Sequence, residues 1–249
     1  MISIHPLTGI GEIQPGNDLV AILGDTLSTL ALSIHSIDIL VVTQKILSKA
    51  EDQFVDLAEV IPGEEALRLA AITRKDPRLV ELVLRESIAV VRAAPNVLIT
   101  RHRCGHVLAN AGIDRSNTGG GNRVLLIPKD SDASAERLRR GLSARFGCFP
   151  GVVISDSFGR PWRYGVVNVA LGASGLPSLI DKRGELDRDG RPLEVTQVAL
   201  ADMIASAAGL VMGECAESVP AALVRGALRP PGFLPAAALI RPLSEDLFQ

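Results

Sequence analysis

Residues 151–165 form the stretch GVVISDSFGRPWRYG, in which an apolar, β-branched run leads into polar residues. The run predicts a buried strand, and the residues after it predict a turn that presents Asp156 and Ser157 and then Arg160 and Arg163. Carboxylate and hydroxyl oxygens bind hard cations, and guanidinium groups pair with phosphates. The segment therefore suggests a site for a metal–phosphate substrate, although an aspartate-capped turn followed by surface arginines is an open alternative.

Further apolar runs bounded by turn residues predict the remaining strands. They lie at residues 39–42, 97–100, 107–111, 124–127, 166–169 and 222–224. Helical spacing of apolar residues predicts helices at residues 19–32, 64–73, 77–91, 135–145 and 195–211. Because strands and helices do not alternate regularly, we predict an α+β fold with mixed β-sheets and flanking helices. No composition break divides the chain, so residues 1–249 are expected to form one domain, in which two lobes could be present.

The composition excludes several classes of protein. Lysine and arginine total 26 against 28 acidic residues, so no basic excess is available for binding nucleic acid. The longest uncharged stretch, residues 164–180, has 17 residues with internal glycines and a proline, which is too short to span a membrane. Three cysteines without a CxxC pair and an N-terminus without signal-peptide features indicate reduced thiols and a cytoplasmic location.

Other candidate site residues lie outside the opening stretch. Asp114 and Asn117 follow a predicted strand, Glu214 follows the glycine that ends a small-residue helix, and Lys49 could neutralise a phosphate. For each of them a turn, a helix cap or a solvated side chain is an open alternative. The glycine triplet at 119–121 favours a loop tip over a phosphate-binding loop, and the four histidines show no HExxH or triad spacing.

Six segments, taken in order along the chain, resemble the γ-glutamyl ligases of the deazaflavin coenzyme F420. They are VVTQKILSKAE (41–51), NAGIDRSN (110–117), ISDSFGRPWRYGVVNVALGASGL (154–176), DGRPLEVT (189–196), ALADMIASAAGLVMGE (199–214) and VPAALVRG (219–226). The resemblance covers nearly the whole chain. It implies a GTP-dependent amide ligase that adds L-glutamate to F420-0, extends a γ-linked glutamate tail and releases GDP and phosphate.

The resemblance also implies an assembly, cofactors and residue roles. It implies an intertwined homodimer with two interleaved lobes and two divalent ions, Mg²⁺ or Mn²⁺. Asp114 and Asp156 would hold one ion, while Ser157 and Glu214 would help to hold the second. From the residues themselves, we expect Asp156, Lys49 and Arg160 to be the catalytic residues. The nucleotide would contact Ile10, Gly11, Glu12, Ile13, Thr43, Gln44, Lys49, Asn117, Met212, Gly213, Glu214, Cys215, Ala216, Glu217, Ser218 and Val219.

Phosphoryl transfer explains why such residues suit a ligase. A carboxylate is a poor acyl donor, so we expect the γ-phosphoryl group of GTP to activate it as an acyl phosphate, which the glutamate amine then attacks. Clustered carboxylates with Lys and Arg suit this charge-dense transfer. Two alternatives remain open from the residues alone: a metal-dependent phosphotransferase or phosphohydrolase, and a non-catalytic protein that binds a deazaflavin or a nucleotide.

Overall fold

The computed structural model describes residues 1–246 of the chain. Within that range it mixes helices with several sheets, which confirms the predicted α+β class. The strands are β1 (Ser3–Pro6), β2 (Ile39–Thr43), β3 (Phe54–Asp56), β4 (Ser87–Ala94), β5 (Val97–His102), β6 (Val107–Ala109), β7 (Arg123–Leu125), β8 (Gly151–Arg160), β9 (Arg163–Ser174), β10 (Leu179–Asp181), β11 (Gln197–Ala199) and β12 (Ala221–Arg225). The helices are α1 (Leu19–Thr29), α2 (Gln44–Ala50), α3 (Glu64–Thr73), α4 (Pro77–Arg85), α5 (Ser131–Phe146) and α6 (Leu200–Met212).

The central sheet has five strands in the order β1-β12-β2-β8-β9. Strands β2 and β8 are parallel, with Ile39 opposite Gly151 and Thr43 opposite Ser155, while the other pairs are antiparallel. Strand β12, from late in the chain, therefore lies between the first two strands. Because β2 and β8 run in the same direction, the residues that follow Thr43 and Ser155 meet at one edge of the sheet.

Two hydrophobic cores cover the central sheet, and residues of β8 alternate between them. Val152 and Ile154 belong to the core that contains residues of α1, α2 and α5, whereas Val153 belongs to the core that contains α6. Successive side chains of a strand point to opposite faces, so the two cores lie on opposite sides of the sheet. The same alternation places Asp156 on the face of Ile154, beside α2.

A third core is formed by residues that lie between β2 and β8 along the chain. It gathers apolar side chains from α3, α4, β5 and β7. Helix α4 begins at Pro77, and the carboxylate of Asp76 caps it by accepting the N–H of Arg78 at 2.9 Å. A three-stranded sheet, β4-β5-β6, accompanies this core.

The predicted helix at residues 77–91 is wrong in its second half. Helix α4 ends at Arg85, and Ser87–Ala94 forms β4, which pairs antiparallel with β5. Ile88 and Val91 match the helical spacing of the residues before them, but both are exposed in β4. β-Branched residues favour strands, and the partner strand decides between the two structures here.

Three other predicted boundaries are also corrected. Strand β8 continues through Asp156 and Ser157 to Arg160, so the turn predicted at 156–157 lies instead at residues 161–162. The strand predicted at 107–111 ends at Ala109 and is followed by a 3₁₀ turn. The helix predicted at 195–211 begins at Leu200, because the residues before it form β11 and pair with β10.

Within residues 1–246, no helix has the length and apolar character needed to cross a membrane. All three cysteines are free thiols.

Candidate active site

A cleft of about 1060 Å³ opens where the parallel part of β2 and β8 ends. It brings together residues that are far apart in the sequence, from the opening loop to the segment after α6. Most of the residues predicted for the site line it: Ile10, Gly11, Glu12, Ile13, Thr43, Lys49, Asp114, Asn117, Asp156, Ser157, Met212, Gly213, Glu214, Cys215, Ala216, Glu217, Ser218 and Val219.

Asp156 lies deep in this cleft. Its Oδ1 accepts the N–H of Ser157 at 2.9 Å, and within residues 1–246 no lysine or arginine forms an ion pair with it. Part of its surface faces the open cleft, yet protein surrounds the carboxyl closely enough that burial raises its pKa to about 7. The negative charges of Asp114 and Glu214 contribute to the same shift. The site therefore places a carboxyl where the chain supplies little positive charge to stabilise its ionised form.

Asp114 has neighbours that stabilise its charge. Its Oδ2 lies 2.7 Å from Nζ of Lys45, and its Oδ1 accepts the N–H and the hydroxyl of Ser116 at 2.7 and 2.8 Å. Burial raises the pKa of Asp114, but Lys45 and Ser116 outweigh it, and the pKa lies below its usual value. The backbone of Asp114 exchanges two hydrogen bonds with Leu125 at the end of β7, which fixes the residue beside the cleft.

Glu214 comes from the segment that follows α6. The helix ends at Gly213, as predicted, with φ 73° and ψ −179°, a backbone conformation that only glycine adopts readily. The carboxylate of Glu217 accepts the N–H of Cys215 at 2.7 Å and holds the segment in a tight loop. The loop carries Glu214 on an exposed rim of the cleft.

Helix α2 supplies two ammonium groups to the cleft. Lys45 and Lys49 are four residues apart, so they lie on the same face of the helix one turn from each other. Lys49 is buried and forms an ion pair with Glu12 of the opening loop. Each lysine is therefore paired with a carboxylate at the cleft.

Two predicted residues do not line the cleft. Gln44 is buried, and its Oε1 accepts the hydroxyl of Ser48 at 2.8 Å. Arg160 lies at the far end of β8, where its Nη2 donates to the carbonyl of Tyr164 at 3.2 Å. Arg160 lies outside the cleft because β8 continues as a strand where a turn was predicted.

Sequence reasoning missed several residues that line the cleft. They are Lys45, Phe54, Ser116, Thr118, Arg123 and Asn168. Lys45 is the second residue after β2 and follows the predicted Thr43 and Gln44, and this position near a strand end was the available signal. The guanidinium of Arg123 stacks 3.9 Å from the ring centre of Phe54, a contact between segments that no local pattern indicates.

Several side-chain oxygen atoms that line the cleft are of the kinds that bind divalent cations. Mg²⁺ and Mn²⁺ bind carboxylate and hydroxyl oxygens, which Asp114, Asp156, Ser157 and Glu214 offer here. The ammonium of Lys45 acts on Asp156 but pairs with Asp114, so among the described residues Asp156 has no ion-pair partner of its own, which a cation would supply. In the described part of the chain, no three His, Cys, Asp or Glu side chains are gathered as a finished metal centre would hold them. The residues fit a hard cation, and holding it would require their side chains to close around it.

Comparisons with known proteins identify the family of the chain. Residues 9–226 match the family model of F420-0:gamma-glutamyl ligase. A coenzyme F420:L-glutamate ligase of Methanopyrus kandleri is 43% identical over 253 aligned positions, which cover 100% of this chain and 98% of that protein. The corresponding ligase of Methanocaldococcus jannaschii is 43% identical over 212 positions, covering 85% and 84%. The ligase of Halobacterium salinarum is 44% identical over 223 positions, covering 87% and 84%.

The structure is an α+β fold with a carboxylate-lined cleft at one end of its central sheet. The chain belongs to the F420-0:gamma-glutamyl ligase family. It is therefore an enzyme of the ligase class, as the sequence predicts.

Proposed function

We propose that this chain joins L-glutamate to the carboxylate of coenzyme F420-0, consuming GTP and requiring Mg²⁺ or Mn²⁺, and then extends a γ-linked glutamate tail. The observation that carries the proposal is Asp156, a carboxyl that lies deep in the cleft beside two further carboxylates and without an ion-pair partner. The divalent cation that accompanies a bound polyphosphate would supply the missing positive charge. The names of the related ligases support the choice of substrates.

The positively and negatively charged residues of the cleft would have different roles in the reaction. Lys45 and Lys49 would exchange their carboxylate partners for phosphate oxygens and orient the transferring group. The γ-phosphoryl group would pass to an oxygen of the F420-0 carboxylate and form an acyl phosphate, while its bond to the β-phosphate breaks and GDP leaves with the electron pair. The amine of glutamate would attack the acyl carbon, phosphate would leave with its electron pair, and the amide would remain.

Asp114 and Asp156 would hold one divalent ion, and Ser157 with Glu214 would help to hold a second. When bound, these ions would neutralise charge on the phosphates and polarise the reacting phosphoryl group. Asn117 and the loop from Met212 to Val219 would contact the nucleotide.

We also propose that the protein is a homodimer that works in the cytoplasm. Beyond Asp156, β8 and β9 form a hairpin with exposed apolar side chains. Tyr164 is fully exposed, and Trp162 and Val166 are more than half exposed. Such a cluster of apolar side chains facing water is unusual in a monomeric protein. Obligate dimers bury such surface over more than about 2,000 Å². Light scattering should give the mass of two chains, and a stable, active monomer at micromolar concentration would contradict the dimer. The three free thiols support a reducing compartment.

Mass spectrometry of F420-0 incubated with the enzyme, GTP, Mg²⁺ and L-glutamate tests the proposed reaction directly. The expected products are GDP, phosphate and a deazaflavin heavier by one or more glutamate residues, formed only when glutamate is present. Phosphate release without glutamate would favour a phosphohydrolase instead. Neither product, with binding retained, would favour a non-catalytic binding protein.

A further inference from the structure

A second group of titratable side chains, Cys104, His102 and Glu86, gathers where the turn between β5 and β6 meets the end of α4. None of the three lines the cleft. His102 ends β5 and is 4% exposed, whereas Cys104, two residues later, is exposed to solvent. Glu86 follows the last residue of α4 and faces His102 from the other side. The group thus combines an accessible thiol with a buried imidazole and a carboxylate.

The contacts of the imidazole decide which nitrogen of the neutral ring carries the hydrogen. Nδ1 of His102 lies 3.0 Å from the peptide nitrogen of Cys104, which can only donate, so Nδ1 is an acceptor. The Sγ atom of Cys104 lies 2.9 Å from the same Nδ1. Nε2 therefore carries the ring hydrogen, and it faces Oε2 of Glu86 at 3.5 Å. Thiol, imidazole and carboxylate follow one another in the order that activates a nucleophilic cysteine.

The groups around His102 favour the protonated form of its imidazole. Burial lowers the pKa of His102, but Cys104 and Glu86 outweigh this effect and raise the pKa to about 9. The imidazole of His102 lowers the pKa of Glu86, and Arg103 pairs with the same carboxylate at 2.9 Å. The other titratable neighbours are His106, near His102, and Lys129, near Glu86.

We propose that Cys104 is a modification site that undergoes exchange with low-molecular-weight disulfides, with His102 as the proton acceptor and Glu86 as the residue that positions His102. Nδ1 of His102 takes the thiol proton before the attack, which leaves a thiolate beside the imidazolium, and Sγ of this thiolate then attacks one sulfur of the disulfide. A new S–S bond forms as the old one breaks, and the departing thiolate takes the electron pair. That thiolate recovers the proton from His102, so the products are a mixed disulfide on Cys104 and one free thiol.

The chain contains two internal controls. Cys215 is also exposed, but the polar contact beside it is the carboxylate of Glu217, which cannot accept a proton as readily as an imidazole. Cys148 is half-buried, its Sγ donates to the carbonyl of Ile34 at 3.6 Å, and burial raises its pKa. A general reactivity of thiols would modify Cys215 as fast as Cys104.

The experiment is a time course with oxidised glutathione at pH 6, 7 and 8 on the full chain, with each cysteine quantified by peptide mass spectrometry. At pH 6 and 7, Cys104 should react at least about tenfold faster than Cys215. His102→Gln should bring the rate at Cys104 close to that at Cys215 without changing Cys215. Glu86→Gln, which keeps the shape of the side chain, should have a smaller effect in the same direction.

Two results would overturn the proposal. One is an equal rate at Cys104 and Cys215 in the wild-type protein. The other is an unchanged rate at Cys104 in His102→Gln that thermal melting shows to be folded. If His102→Gln does not fold, alkylation of the wild type by iodoacetamide decides: the rate at Cys104 must level off at a lower pH than the rate at Cys215, and coincident profiles would refute the assignment.

Discussion

Asp38 and Asp156 lie at opposite ends of the parallel strand pair β2 and β8. The surrounding protein stabilises the ionised form of Asp38 and destabilises that of Asp156. Asp38 immediately precedes β2, is fully buried, and accepts hydrogen bonds from Nε and Nη2 of Arg225 at 2.9 and 2.7 Å. Burial raises its pKa, but Arg225 and the N–H of His35 outweigh burial and keep it below the usual value. Asp156, at the other end, has no such partner, and its pKa is raised.

The contrast separates two reasons for placing a carboxyl inside a protein. The charge of Asp38 is balanced by the chain itself, so it contributes to the stability of the fold. The charge of Asp156 is left to be balanced by something that the chain does not supply, which is the mark of a binding or catalytic group. Burial alone does not distinguish the two, whereas the partner does.

The largest expected effect is on stability, from Asp38→Ala. Removing Asp38, the buried member of this ion pair, should lower the free energy of unfolding by about 3 kcal/mol, because Arg225 loses its counter-ion and the N–H of His35 loses its acceptor. Urea unfolding measures this loss, and turnover per folded molecule should be unchanged. Asp25→Ala, which breaks the exposed pair with Arg145, should cost no more than about 0.5 kcal/mol. Equal effects of the two variants would remove the structural role given to Asp38.

The next effect is on turnover, from Asp156→Asn. The side chain keeps its shape but loses the charge that would hold a cation, so kcat should fall by roughly 10²-fold or more, about 3 kcal/mol in the barrier. Glutamate-dependent GDP release at saturating Mg²⁺ is the measurement. Asp202→Asn is the control, since its carboxylate also accepts a strand N–H, that of Ala170 at 2.9 Å, but lies outside the cleft. More than about half of wild-type turnover in Asp156→Asn would refute the metal role.

Removing divalent metal should weaken GTP binding by about tenfold or more, since phosphates would then face Asp156 and its acidic neighbours directly. Two like charges about 4 Å apart repel each other by about 4 kcal/mol at an effective dielectric of 20, although solvent in the open cleft reduces this figure. Calorimetry with GTP in Mg²⁺ and in EDTA gives the two affinities. An affinity that EDTA leaves unchanged would count against an acidic metal site.

The smallest effect is a pH dependence of opposite sign at the two aspartates. Between pH about 4 and 7, the folded metal-free protein binds a proton at Asp156 that the unfolded chain has released, so this residue makes stability fall as pH rises. The stabilisation from Asp38 is present above the ordinary carboxyl pKa and is lost as pH falls through its lower folded pKa. Urea unfolding in EDTA should therefore show Asp156→Asn gaining stability over the wild type by on the order of 1 kcal/mol per pH unit from pH 5 to 7. Parallel pH curves for the two proteins would show that Asp156 ionises normally.

Sequence patterns correctly predicted the elements that are determined by neighbouring residues in the chain. The bounds of α3 and the glycine that ends α6 agree with the structure. The β4 strand was missed because Ile88 and Val91 continue a helical spacing, and only pairing with β5 reveals them as strand residues. Pairing is a contact between segments, which propensity and periodicity within one segment do not contain.

The same limit applies to the site. The motifs identified the carboxylates, and the fold brings Asp114, Asp156 and Glu214 to one cleft. Lys45 was missed because its contact with Asp114 joins segments about seventy residues apart. Arg160 was predicted for the site on the assumption of a turn, but a strand that rises about 3.3 Å per residue carries it about 13 Å beyond Asp156.

The position of β12 between β1 and β2 determines when the protein can fold during its synthesis. At about 5–20 residues per second, β1 leaves the ribosome roughly ten to forty seconds before residues 221–225 are made. Until then the edges of β1 and β2 that β12 will occupy stay open, and open edges can pair with other chains. The cleft includes Pro220, immediately before β12, so it too is completed only at this late stage. The nascent chain therefore has no working site for most of its synthesis, and it acquires the sheet and the site together.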